Sequence, residues 1–474
     1  MPTSGANSLN WLRWLVAIGF FMQTLDTTIV NTALPAMAGS LGERPLRMQS
    51  VVIAYSLTMA MLIPASGWLA DRFGTRRAFF SAILLFMVGS LLCAASRSLF
   101  ELTAARVVQG AGGAMLLPVG RLSILRAYPR EQLLPAMSFI AIPGLIGPLI
   151  GPTLGGWLVQ VASWHWIFLI NVPIGLAGCL ATLAAMPDSR APDVQPFDLA
   201  GYLLLAVGMV SVSFAIDGLS ELSLRHATVL LLLVFGLAAL TAYWLRAPQQ
   251  AHPLFPTTLF RTPTFSIGLL GNLFARLGSG SMPFLTPLLL QVSLGYTPLH
   301  AGLMMLPTSA AAILSKRVVT PLIGRVGYRR MLVVNTLLVG ASMASFALIS
   351  GGEPLALMIG QLALFGLVNS LQFTAMNTVT LKDLSGAGAS SGNSLLSMVQ
   401  MLSMSLGVAA AGGLLTTFED LFGRSRTISS FHGTYICVGV MTAVSAWIFW
   451  QLPTEEAAVP EALHAPEAKP TEAS

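Results

Sequence analysis

Apolar runs of about 20 residues recur along this chain from end to end, each long enough to cross a hydrocarbon layer of roughly 30 Å as a helix. In that layer the backbone has no water to bond to, and a helix satisfies its own N–H and C=O groups within one segment. Fourteen such spans can be marked, the first at about 13–35, the seventh and eighth at about 199–217 and 227–245, and the last at about 433–452. With 55% of residues hydrophobic and only 9% charged, the chain has no soluble counterpart. The expected fold class is an all-α polytopic membrane protein.

The charges say which way it runs. Of the 25 Lys and Arg, seventeen fall in segments on the face that holds both termini and six on the other, while Arg106 and Arg276 lie inside spans. An even number of crossings returns the C-terminus to the side of the N-terminus, and the positive-inside bias makes that side the cytoplasm. All nine Trp fall near span ends, as an interfacial belt requires. The net charge of +6 is therefore topological, and the partner it implies is the lipid bilayer, with no nucleic acid.

Other chemistries find no support. Cys93, Cys179 and Cys437 sit far apart in apolar runs, and the six His show no ligand spacing, so no metal and no other cofactor is expected. The lysines, Lys316, Lys382 and Lys469, all lie outside any GxxxxGK[ST] context, so uphill work must draw on an ion gradient or another chain. No His, acid and nucleophile share a depth, which argues against an enzyme. The first span lacks a small-residue cleavage site and reads as a retained helix. The lack of an N-x-[ST] sequon and of long loops favours a bacterial inner membrane.

Against this background Asp26 stands out. An aspartate in a membrane helix costs roughly 2.5–3.5 kcal/mol, so it needs a partner or a task. Asp26 lies about 13 residues into an upgoing helix, roughly 20 Å up, and Arg106 about 7 residues into a downgoing one, roughly 10 Å below the far surface. In a core of roughly 30 Å the two levels coincide, so the charges can meet. The guanidinium would hold the acid ionised, and removal of water would favour its neutral form, so a conformational change can alter its proton affinity. The competing readings are a structural ion pair that pins two helices, or a snorkelling arginine.

A faint repeat adds architecture. Gly67 to Arg77 follows the second span and Thr320 to Arg330 follows the tenth; they share Arg72 with Arg325, Gly74 with Gly327, and a closing Arg pair, but Gly324 replaces Asp71. Two six-helix halves with a helix pair between them account for this spacing. The expected division is a bundle at 1–186, a linker with two extra spans at 187–250, a second bundle at 251–452, and a disordered cytoplasmic tail at 453–474.

These spans, the Gly67 to Arg77 loop, the Arg106 to Gly113 segment with Gln109, the Gly147 to Gly156 segment and the run Trp166 to Pro173 together resemble the major facilitator superfamily, in particular its fourteen-helix drug:proton antiporter branch. The resemblance implies two pseudo-symmetric bundles around a central cavity, alternating access, and a proton-coupled exporter of small organic molecules. It implies that Asp26 and Arg106 serve proton translocation. It makes Gly67, Asp71, Arg72, Gly74, Arg76 and Arg77 a gating loop, and Gly144, Gly147, Pro148, Gly151, Pro152, Gly155 and Gly156 the motif associated with antiport. A plain topology signal and ordinary small-residue packing remain the competing readings of those two motifs.

The expected substrate cavity takes in Asn31, Gln109, Asn272, Arg276 and Gln372. Arg276 complicates a pump for lipophilic cations: it lies mid-span with Asn272 a turn before it and no acid on the nearby spans. If Asp26 and Arg106 neutralise each other, a positive site is left over, which suits a carboxylate-bearing metabolite or a metal chelate. Methionines 398, 401 and 404 recur on span thirteen, as packing or as a pliable pocket wall. The expected partners are protons and a small-molecule substrate, handled by a monomer. A non-transporting membrane sensor and proton-coupled uptake are the rival functions.

Overall fold

The computed structural model describes residues 3–220, 226–423 and 427–453, and all regular structure among them is helical. The acidic tail beyond residue 453 lies outside the described residues, as do Arg225, Arg424 and Arg426. The first bundle comprises α1 (Thr3–Leu41), α2 (Gln49–Phe73), α3 (Thr75–Ala95), α4 (Leu99–Ala127), α5 (Arg130–Val161), and α6 (Trp166–Leu169) continued by α7 (Asn171–Ala185). Helices α8 (Leu199–Ser220) and α9 (His226–Arg246) form the inserted pair. The second bundle comprises α10 (Pro263–Ser279) with α11 (Met282–Leu288), α12 (Pro298–Met304) with α13 (Leu306–Val326), α14 (Tyr328–Ala344), α15 (Leu355–Leu381), α16 (Gly386–Phe422), and α17 (Thr427–Val444) with α18 (Ala446–Trp450).

Taken as spans, these make fourteen crossings. Twelve helices among the described residues are long and apolar enough to cross a membrane. The two further crossings are α1, which carries Asp26, and the broken α10–α11 unit, which carries Arg276.

Local sequence explains where helices begin and end. At the start of α4 the Ser98 hydroxyl accepts from the Glu101 N–H at 3.2 Å, and the Glu101 carboxylate reaches back to the Arg97 N–H at 2.7 Å. Gly74 and Gly327 end α2 and α13 with φ of 95° and 79°, a backbone region that glycine enters without steric cost. The faint sequence repeat is thus the same turn made twice, at equivalent places in the two bundles.

The bundles meet mainly in the membrane half away from the termini, hereafter the far half. There the Arg44 guanidinium pairs with Glu419 at 2.7 Å, Gln291 donates to the Thr32 carbonyl at 2.9 Å, and Thr153 donates to the Gly302 carbonyl at 3.1 Å. The near halves of α5 and α13 diverge, leaving Ile142 and Leu314 exposed. The inserted pair sits at the periphery: α8 touches α16 through Ser213 and Ser405, 3.3 Å apart, while Leu230, Leu231, Val234 and Phe235 of α9 face outward. Its linker is held by Asp198, which accepts from Arg246 at 2.6 Å and from the Gly201 N–H at 3.0 Å. Burial pushes the Asp198 carboxyl upward, but these bonds outweigh it and hold the group below the usual carboxylate range.

Lys316 and Arg317, counted with the basic residues of the terminal face, instead lie inside α13, ten and nine residues before its end at Val326. At 1.5 Å per residue that places Lys316 roughly 15 Å from that end.

Candidate functional site

The first bundle is built to bring a charge pair together in a dry place. Helices α3 and α4 close up because an added methyl at Gly89 would strike the Gln109 backbone and one at Gly112 would strike the Phe86 backbone. Their contact sets Ser90 of α3 beside Gln109 of α4, one turn beyond Arg106. Helix α1 presents Asp26 to the same point.

There the Arg106 guanidinium donates from one terminal nitrogen to Asp26 Oδ2 at 2.6 Å and to Gln109 Oε1 at 2.6 Å. Its Nε reaches the Val51 carbonyl at 3.3 Å, and its plane lies 4.0 Å from the Tyr55 ring centroid and 5.8 Å from that of Phe168. Asp26 Oδ1 accepts from Gln109 Nε2 at 2.7 Å and from Asn171 Nδ2 at 3.4 Å, so both carboxylate oxygens are engaged. Gln109 also donates to Ser90 Oγ at 2.9 Å. Asp26 is 0% exposed and Arg106 1%, so the pair is shut off from water in this conformation. Removing either partner would leave the other charge buried and unpaired.

Sequence reasoning paired Asp26 with Arg106 but missed Tyr55, Ser90 and Asn171. Asn171 was within reach, since it is the polar member of the Trp166 to Pro173 run; Tyr55 and Ser90 carry no spacing signal that marks them. Of the five residues expected to line the cavity, Gln109 belongs to this network instead of facing open space. Asn272 is buried against α15, donating to the Gly268 carbonyl at 3.0 Å, and Gln372 lies between α14 and α15, bonded to Asn335 at 2.9 Å and Thr336 at 2.6 Å. Asn31 donates to the Thr27 carbonyl at 3.2 Å and keeps its Oδ1 without a partner. Arg276 has intermediate exposure, its guanidinium 4.8 Å from the Phe373 ring centroid.

The two motif stretches sit at contacts between neighbouring elements. In the loop between α2 and α3, Asp71 pairs with Arg126 at the end of α4, Arg76 donates to the Met186 carbonyl, and Thr75 exchanges bonds with Pro187 and Ser189 of the linker. Gly67, Arg72 and Arg77 are exposed, and Gly74 makes the turn. In α5, Gly144, Gly147, Gly151 and Gly155 let α1 lie directly on the backbone, with Phe20, Thr24 and Thr28 where side chains would otherwise stand. Gly156 faces the Pro298 carbonyl of the second bundle in the same way. Pro152 cannot donate to the carbonyl four residues back, and that carbonyl, of Pro148, accepts instead from Ser309 Oγ at 3.1 Å across the bundle interface.

Comparison with known proteins agrees with this architecture. Residues 16–408 match the Major Facilitator Superfamily. Two bacterial relatives carry the provisional name multidrug resistance protein MdtD: one from Serratia proteamaculans (strain 568), 52% identical with 94% of each chain covered, and one from Pectobacterium carotovorum subsp. carotovorum (strain PC1), 51% identical with 94% of this chain and 97% of that one covered. Among solved structures the fold is similar to a POT family transporter in complex with 5-aminolevulinic acid, with a TM-score of 0.67 at 16% identity over 92% of this chain and 94% of that one. It is also similar to the nucleoside transporter NupG, with a TM-score of 0.65 at 13% identity over 92% and 98%. The fourteen crossings, the paired bundles and these matches have one meaning: the chain belongs to the major facilitator superfamily, a family of membrane transporters.

Proposed function

We propose that the protein is a proton-coupled antiporter of the bacterial inner membrane, with cytoplasmic termini, that exports small organic compounds by alternating access as a monomer. The observation that carries this reading is the burial of Asp26 against Arg106: it is the one acid that the described residues place in the membrane interior. While the far side is closed the pair stays ionised and dry. Rocking of the bundles would admit water from the far side, loosen the pair and let Asp26 take a proton, which it releases on the cytoplasmic side when Arg106 returns. One proton falling through roughly 150 mV releases about 3.5 kcal/mol, enough to hold a gradient on the order of 300-fold in one-to-one exchange. The names of the relatives support a multidrug substrate range, and the antiport motif in α5 supports export.

A second reading, export of an organic anion, is favoured by one observation: Arg276 has no acid partner among the described residues. Everted vesicles with a pH-sensitive dye test the coupling. Addition of substrate should release protons in the wild type, and Asp26→Asn should abolish that release while inserting at normal levels. Full pH-driven transport in Asp26→Asn would mean that another group titrates.

A further inference from the structure

The second bundle holds a charge that the proton-coupling site does not use. Lys316 of α13 and Arg276 of α10 converge on one aromatic ring of α15: the Arg276 guanidinium is 4.8 Å and the Lys316 ammonium 5.7 Å from the Phe373 centroid. Lys316 donates to Thr374 Oγ1 at 2.6 Å, a neutral partner, and the Arg276 Nε is buried with no partner at all. Both side chains have intermediate exposure, as do Phe373, Thr374 and Asn377. These groups are therefore neither sealed in the helix packing nor fully exposed, which leaves them within reach of a ligand.

Apart from Asp26, the acids of the described residues stand at helix ends or in loops. Asp26 is already neutralised by Arg106. Two cations beside one ring in a poorly polar setting repel each other, and the ring face answers only part of that charge. Among the described residues no carboxylate supplies the missing counter-charge, and an anionic ligand would.

We propose that Arg276, Lys316 and Phe373 form the substrate subsite for a soluble organic dianion, the two cations each engaging one anionic group while the ring packs against the ligand's apolar body. The inference rests on the anion-export reading and makes it specific: two charges, one on each of α10 and α13, with α15 between them. Because these helices belong to the second bundle, ligand binding and proton binding occupy opposite bundles and communicate only through rocking. A lipophilic cation would meet two like charges here and be excluded.

The test is equilibrium binding to the purified full-length protein in lipid-free detergent, using phthalate as a dianion, benzoate as a monoanion and tetraphenylphosphonium as a cation. Phthalate should bind at least about tenfold more tightly than benzoate, and tetraphenylphosphonium should not compete. Arg276→Gln and Lys316→Gln should each weaken phthalate binding about tenfold or more, whereas Arg276→Lys and Lys316→Arg, which keep the charge and the fold, should retain most of it. Equilibrium binding without a pH gradient needs no proton transfer, so a failure of the proton-coupling reading leaves this result intact. Equal phthalate affinity in the wild type and both glutamine variants would overturn the proposal, as would tight tetraphenylphosphonium binding. Competition by phosphatidylglycerol at matched concentration would overturn the soluble-ligand assignment in favour of a lipid headgroup.

Discussion

At the scale of single residues, the chain concentrates its polar chemistry where it is most costly. Arg106 is among the largest fully buried side chains, and it is held by hydrogen bonds to Asp26, Gln109 and the Val51 carbonyl as well as by the Tyr55 face. Removing one member of such a pair leaves the other buried and uncompensated, which costs about 3–5 kcal/mol. Arg106→Gln should therefore lower the thermal unfolding midpoint sharply in detergent, and adding Asp26→Asn to it should restore part of the loss. Transport should be absent in both, so the double variant separates stability from coupling. If the double variant unfolded at a lower temperature than Arg106→Gln, the two side chains would not be a coupled pair. That Asp26 and Arg106 lie at one level and can meet was legible from helix depth, because rise per residue converts sequence position into height. The amide and hydroxyl around them were not, because height says nothing about which way a side chain points.

At the scale of elements, the informative contacts are those made by backbone. Helices α5 and α12 cross so closely that Gly156 faces the Pro298 carbonyl and Gly302 faces the Pro152 carbonyl, with the Ser309 bond to Pro148 completing the seam. Closure of the far side depends on that crossing. Gly302→Leu should wedge it open and populate the opposite conformation, while leaving each bundle intact. A thiol reagent applied from the far side should then modify a cysteine placed at Thr153 at least about tenfold faster than in the parent, and an unchanged rate would mean that this crossing does not close the gate. The glycine motif was visible in sequence as a stripe of small residues; that it serves two partners, α1 along its length and α12 at its end, follows only from the packing. The loop after α2 is also more than a basic helix end, since Thr75 and Arg76 tie it to the linker that leads into the inserted pair.

At the scale of the whole molecule, the two bundles are joined in the far half and part toward the termini, one of the two states that alternating access requires. The Arg44–Glu419 ion pair bridges the bundles at the far surface. Cysteines at both positions should be bridged by a bifunctional methanethiosulfonate reagent that spans the two side-chain lengths and holds this state, reducing transport at least about tenfold, and a reducing agent should restore it. Transport that persisted in the cross-linked form would show that the far side need not open there. Hydropathy by itself determined that the chain is an all-helical membrane protein with about fourteen spans, because burial in lipid acts on every residue of a span and leaves a periodic record, and a short repeated loop pointed to two related halves. Tertiary structure alone decided which polar residues meet, that Lys316 joins Arg276 inside the second bundle, and which side of the molecule is shut. Those outcomes depend on the rotation of each helix about its axis and on the tilt between bundles, and a one-dimensional pattern of apolar runs is the same for every rotation.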